Sequence, residues 1–175
     1  RMAYALASPA NDVTLPDFAA LCDAFYLGGT KCGALFGEAL VLTNPALDQD
    51  FRYALKQHGG MLAKGRLLGL QFLALLGEAG DLFQTPYYQL AARANTLAKK
   101  ICDAFTEKGC RMLYSSPTNQ QFPIIPESWA AKLAQRYSFS PMGQPETGRH
   151  TVRFCTSWAT KDQDVAALLA DIADL

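Results

Sequence analysis

Lys31 is the residue of this chain with the clearest chemical potential. It sits in the run Phe25-Tyr-Leu-Gly-Gly-Thr-Lys-Cys-Gly-Ala-Leu-Phe-Gly37, between two apolar segments and with glycines on both sides. A lysine enclosed by apolar strands is costly to keep charged. Desolvation favours a neutral amine, and a neutral amine attacks an aldehyde to form a Schiff base. Glycines let a flat ring or a phosphate come close to the backbone, and Thr30 can offer its hydroxyl to a phosphate oxygen. The same Gly28-Gly29-Thr30-Lys31 run also suits an ordinary surface turn with a solvated lysine. Residue types alone leave both readings open. The glycine spacing matches neither the Walker phosphate loop nor the G-x-G-x-x-G fingerprint.

The elements that must position this lysine are legible as alternating signals. Thr14, Pro16 and Asp17 form a capped helix start, and the helix should run to about Cys22. Residues 24–27 read as a buried strand with a sharp exit at Gly28-Gly29, and residues 34–43 as a second. Asn44-Pro45 opens a helix expected to reach His58 and stop at Gly59-Gly60. Residues 61–78 are leucine-rich on most sides, which predicts a long helix buried in a core or a subunit interface. Thr85-Pro86 starts a further helix ending near Gly109. Its apolar stripe is Ala91, Ala94, Leu97, Ala98, Ile101 and Phe105, with Arg93, Lys99 and Lys100 on the other side.

Beyond Gly109 the texture changes. Residues 111–115, 121–125, 137–140 and 150–156 read as strands, and residues 127–135 as a helix. Thr160 is expected to cap a last helix over residues 161–173. The β-β-α-β-β-α order predicts a small α/β domain on an antiparallel sheet, beginning somewhere within residues 85–110. In the strand near the end, alternation turns Val152 and Phe154 to the core and Arg153 to the other face. His58 is expected at a helix C-terminus, and His150 in an exposed loop.

Composition narrows the function classes. Half of the 175 residues are hydrophobic, and 16 basic residues balance 16 acidic ones. That is enough apolar mass for a sizeable core. No basic stripe exists to follow a nucleic acid, and no polybasic cluster to hold a membrane surface. The longest apolar run, residues 67–76, is about half the roughly 20 residues that span a bilayer. Five scattered cysteines with no C-x-x-C pair argue against a disulfide framework or a metal site, and place the chain in a reducing cytoplasm. A small molecule and other subunits remain as partners.

The run from Ala24 to Glu38 resembles the lysine segment of the threonine aldolase/β-eliminating lyase family of pyridoxal 5'-phosphate (PLP) enzymes, which share the aspartate-aminotransferase fold. The similarity extends to Val152-Arg153-Phe154. The opening Arg1-Met-Ala-Tyr-Ala-Leu is similar to the end of the family's Asp-Gly-Ala-Arg segment, so the chain is expected to open within a structured region. The resemblance implies an α/β fold of type I. Residues 1–60 would be the end of the large parallel-sheet PLP domain, 61–109 connecting helices, and 110–175 the small C-terminal α/β domain. It implies that Lys31 forms the Schiff base with PLP, with Thr30 nearby, and that Arg1 and Arg153 hold the substrate carboxylate. The implied reaction is retro-aldol cleavage of a β-hydroxy-α-amino acid to glycine and an aldehyde, in a homo-oligomer (dimer or tetramer) with shared sites.

The segment from His58 to Lys64 departs from the family's Gly-Gly-Gly-Met-Arg-Gln pattern. Leu62 occupies the arginine's place, and Lys64 or Arg66 follows. Two alternatives stay open: β-elimination or transamination on the same fold, and a catalytically incomplete chain that serves subunit association.

Overall fold

The computed structural model describes residues 1–77, 80–143 and 148–175. The chain divides into two compact units, one of Arg1–Leu6 with Asn11–Gln89 and one of Ala7–Ala10 with Leu90–Leu175. The expected helix over residues 61–78 ends partly outside the described residues, at Glu78.

In the first unit, a short helix α1 (Met2–Leu6) is followed by α2 (Leu15–Leu21). Thr14 caps α2 as its sequence predicts. Its side chain accepts from the Asp17 amide, the Asp17 carboxylate accepts from the Thr14 amide at 2.7 Å, and Pro16 lies in the first turn. The Thr14 hydroxyl, which donates to the Asp17 carboxylate at 2.6 Å, and after it the Thr14 amide hold the Asp17 carboxyl below its ordinary range. Strands β1 (Ala24–Gly28) and β2 (Glu38–Leu42) pair antiparallel, with Ala24 opposite Leu42 and Gly28 opposite Glu38. The second strand is shorter than expected, because residues 34–37 are spent on the turn that carries Lys31.

The helix expected from Asn44 to His58 is two helices, α3 (Pro45–Asp48) and α4 (Phe51–Gln57). Asn44 caps α3 through the Ala46 amide at 2.9 Å. The break falls at Asp50, whose φ of 57° is left-handed and cannot continue a right-handed helix. The apolar helix starts later than predicted: α5 covers Arg66–Leu76. It is not buried all round. Leu68 and Phe72 face the Lys31 turn and Leu75 is buried, whereas Leu67, Leu70 and Leu73 are exposed.

Helix α6 (Pro86–Glu107) begins in the first unit and continues into the second. Thr85 closes its N-terminus, its hydroxyl accepting from the Tyr88 amide at 3.3 Å. Gly109, at φ 77°, ends it as the sequence predicts. The second unit then carries β3 (Arg111–Met112), β4 (Gln120–Gln121), β5 (Pro123–Pro126), α7 (Glu127–Leu133), β6 (Ser140–Pro141), β7 (Arg149–Cys155) and α8 (Asp162–Ala173). The sheet runs β3-β5-β7-β4, β6 also pairs with β7, and every pairing is antiparallel. The strands are shorter than the apolar runs suggested: Tyr137–Phe139 stays outside the sheet and only Ser140–Pro141 pairs.

The core of this unit lies between the sheet and one face each of α6 and α8. Leu97, Ile101 and Phe105 meet Ile125, Val152, Phe154, Val165, Leu168 and Ile172. Burying one such side chain contributes roughly 1.5–3 kcal/mol, and the Phe105 and Phe154 rings add a tilted contact at 5.4 Å between centroids. Arg93, on the polar face of α6, pairs with Asp162 and donates to the Thr160 carbonyl at 2.9 Å. That pairing holds the Asp162 carboxyl low. Thr160 does not cap α8. Lys161 takes the cap position without a side-chain bond, while the Thr160 hydroxyl accepts from the Ser157 amide at 2.9 Å.

Candidate active site

The Lys31 turn is built from the hairpin outward. β1 ends at Gly28, and the Gly29 amide donates to the Gly37 carbonyl at 3.1 Å, which closes the base of the loop. Within it, the Cys32 and Ala34 amides both donate to the Gly29 carbonyl, at 2.8 and 3.0 Å. Gln71 of α5 reaches up to the far side, its amide oxygen accepting from Leu35 at 2.7 Å and Phe36 at 3.4 Å. Sequence reading missed Gln71. Its signal was a polar residue on an otherwise leucine-rich helix.

The glycines serve packing rather than openness. A Cβ on Gly37, at φ 105°, would lie 2.6 Å from the Leu68 side chain. One on Gly29 would lie 2.8 Å from the Ala34 Cβ and 3.0 Å from the Phe72 ring. Helix α5 can therefore press against the turn only because these positions lack side chains.

Lys31 itself is exposed, as is Thr30. The enclosure expected from the flanking apolar segments is not present around the lysine side chain. The burial lies one residue on: Cys32 is fully buried. Its thiol neighbours the hydroxyl of Tyr87, another fully buried group, and burial pushes both the thiol and the phenol above their ordinary values. The Tyr87 hydroxyl donates to the Gly28 carbonyl at 3.3 Å. On the other side, the Tyr4 hydroxyl donates to the Lys31 carbonyl. Neither tyrosine was singled out from the sequence, because an aromatic residue inside a helical stripe looks like any core residue.

Arg1 is exposed and leads directly into α1. Its backbone nitrogen lies 3.2 Å from where a Gly28 Cβ would stand, so Arg1 and the Lys31 turn are neighbours in the first unit. Arg153 belongs to the second unit. Val152 and Phe154 on either side of it are buried, as alternation predicts, and Arg153 lies on the opposite face of β7. Its Nη2 donates to the Ser140 hydroxyl at 3.3 Å, whereas its Nε is buried without a hydrogen-bond partner.

His58 stands at the C-terminal end of α4 as expected. His150 is not in an exposed loop: it lies in β7 and is half-buried. Lys64 precedes α5 in a turn, and both it and Arg66, the first residue of α5, are exposed. All five cysteines are unpaired. Among the described residues no three His, Cys, Asp or Glu side chains cluster to hold a metal ion, and no helix is long and apolar enough to cross a membrane.

Two low specificity L-threonine aldolases share sequence with this chain. That of a Pseudomonas species is 30% identical over 155 residues, and that of Pseudomonas aeruginosa 29% over 154. Each alignment covers 86% of this chain and 41% of the relative. The structure of Leishmania major threonine aldolase superposes with a TM-score of 0.91 at 37% identity, covering 99% of this chain and 49% of that one. The chain is a relative of the threonine aldolases. Its α/β fold is that of the C-terminal part of the Leishmania threonine aldolase, and it spans less than half the length of the curated relatives it matches. No protein-family model matches the chain. The likeness to threonine aldolases runs through both units, since the structural match leaves only 1% of the chain uncovered.

Proposed function

We propose that the complete protein is a PLP-dependent lyase that cleaves β-hydroxy-α-amino acids to glycine and an aldehyde. The observation that carries this reading is the coincidence of the Lys31 turn with an extensive match in sequence and fold to threonine aldolases. The residues present fit the cofactor and an anionic substrate. Lys31 projects from a turn whose backbone is anchored on both sides, by Tyr4 and by Gly28's acceptance from Tyr87. Arg153 keeps a buried Nε without a partner, a donor left over for an anion.

When bound, PLP supplies an electron sink for the charge that develops as the Cα–Cβ bond breaks. The chain's own residues hold and orient. Lys31 Nζ would be the group that holds the cofactor, and its exposure leaves room for a substrate amine to approach. Thr30, exposed beside it, offers a hydroxyl to the phosphate. Arg1 and Arg153 grip the substrate carboxylate, since a planar guanidinium donates two parallel hydrogen bonds to it. Fixing the carboxylate and the amine sets which substrate bond stands ready to break. The exposed leucines of α5 favour assembly of the complete protein into a dimer or tetramer, and the five unpaired thiols favour the cytoplasm.

The test is the complete protein incubated with PLP, reduced with borohydride and digested. Pyridoxyl mass on the Lys31 peptide, lost in Lys31→Ala, together with release of acetaldehyde and glycine from threonine, is the expected result. A labelled peptide with no aldehyde release moves the activity to another reaction on the same fold. Absence of any labelled lysine overturns the reading.

A further inference from the structure

We propose that Tyr4 is a positioning residue that sets the placement of Lys31 relative to Arg1. The proposal rests on the reading of Lys31 as the cofactor-holding lysine. Tyr4 is buried, with 2% of its surface exposed. Two of its groups bond to the backbones of the two residues in question. Its amide donates to the Arg1 carbonyl at 3.1 Å. Its hydroxyl crosses 27 positions of sequence to donate to the Lys31 carbonyl. One buried side chain thus joins the start of α1 to the lysine turn.

The physical consequence falls on the lysine's direction. A lysine side chain is a flexible four-carbon stem, so its amine is placed only as well as the backbone beneath it. Inside the turn, the Gly29 and Gly37 carbonyls accept from loop amides. The Lys31 carbonyl instead takes its bond from outside the loop, from Tyr4. Next to it, fully buried Cys32 fixes the following residue. The peptide between 31 and 32 is therefore held at its oxygen and at the side chain that follows, which orients the Cα–Cβ bond of Lys31. Tyr87 secures the other end of the turn at Gly28. Without the Tyr4 hydroxyl, the turn keeps its own hydrogen bonds, but the Lys31 carbonyl loses its bond to α1.

Tyr4→Phe keeps the ring and removes only the hydroxyl. In the complete protein with PLP, we expect borohydride still to label Lys31. The rate at which the Schiff-base absorbance forms should fall roughly three- to tenfold, the loss typical of one hydrogen bond, and the pH midpoint of that band should move. Tyr137→Phe is the control, because its hydroxyl bonds Asp171 in the second unit. It should leave rate and midpoint unchanged while lowering the melting temperature at least as much as Tyr4→Phe does. The proposal is overturned if Tyr4→Phe matches the parent in rate and pH midpoint. It is equally overturned if Tyr137→Phe slows the reaction as much, or if the loss in Tyr4→Phe merely tracks a larger fall in melting temperature. Lys31→Ala separates the two failures: a band that survives this substitution sinks the assignment of Lys31 and the role of Tyr4 with it, whereas a band lost in Lys31→Ala but unaltered in Tyr4→Phe sinks the role of Tyr4 alone.

Discussion

Ser140 and Arg153 stand directly opposite each other on β6 and β7, and the Ser140 hydroxyl accepts from Arg153 Nη2 at 3.3 Å. This cross-strand bond steers the guanidinium while its Nε stays without a partner. If Arg153 grips the substrate carboxylate, Arg153→Lys replaces a fork of donors by a point charge. The expected outcome is a rise of at least tenfold in KM for threonine, about 1.4 kcal/mol of lost binding. Ser140→Ala should raise KM less. Steady-state kinetics of the complete protein checks both.

Gly37→Ala should disturb the Lys31 turn. The new Cβ would meet Leu68 at 2.6 Å, and a φ of 105° is one that L side chains rarely adopt. A loss of about 1–3 kcal/mol is expected from such crowding, measured as a lower midpoint of urea unfolding. Gly143→Ala should cost less, because its Cβ would meet nothing within 4 Å although its φ is also positive.

Alkaline pH should weaken the first unit. The Cys32 thiol and the Tyr87 phenol are both raised by burial, from ordinary values of 9.0 and 10.0. The unfolded chain gives up these protons at the ordinary values while the folded chain keeps them. The unfolded state then binds fewer protons, so stability is fully present below about pH 9 and falls as pH rises further. Cys32→Ala should delay the onset of the fall by about one pH unit, to the ordinary range of the remaining phenol. Melting temperatures between pH 7 and 11 would show no such delay if Cys32 ionised freely in the fold.

Leu67, Leu70 and Leu73 form an exposed row on α5, at 50%, 56% and 51% exposure. Covering such a row removes apolar surface from water, so the complete protein should gain by association. Leu70→Glu is expected to lower the mass measured by light scattering, because it places a charge in that contact. Unchanged mass would mean that the row is covered by some other surface.

The chain's own order of residues determined the local events. Thr14 with Asp17, Asn44, Thr85 and Gly109 mark element ends correctly, since a cap is a contact between near neighbours. Period-two alternation around Arg153 placed Val152 and Phe154 in the core for the same reason. The lysine turn was recognisable from its glycines and its family likeness. Its exposure was not, because apolar neighbours in sequence show only that strands flank the turn. The break at Asp50 likewise has no marker, as aspartate only occasionally takes a left-handed backbone.

Tertiary structure alone decided the rest. The Tyr4 hydroxyl finds Lys31 across 27 residues, Tyr87 finds Gly28 across 59, and Gln71 finds Leu35 across 36. Hydrogen bonds of that reach depend on which helix faces the turn, and periodicity carries no such information. The same holds for Gly29 and Gly37, which look like permissive turn residues in sequence. In the fold they are small because Ala34, Phe72 and Leu68 leave no room for a side chain.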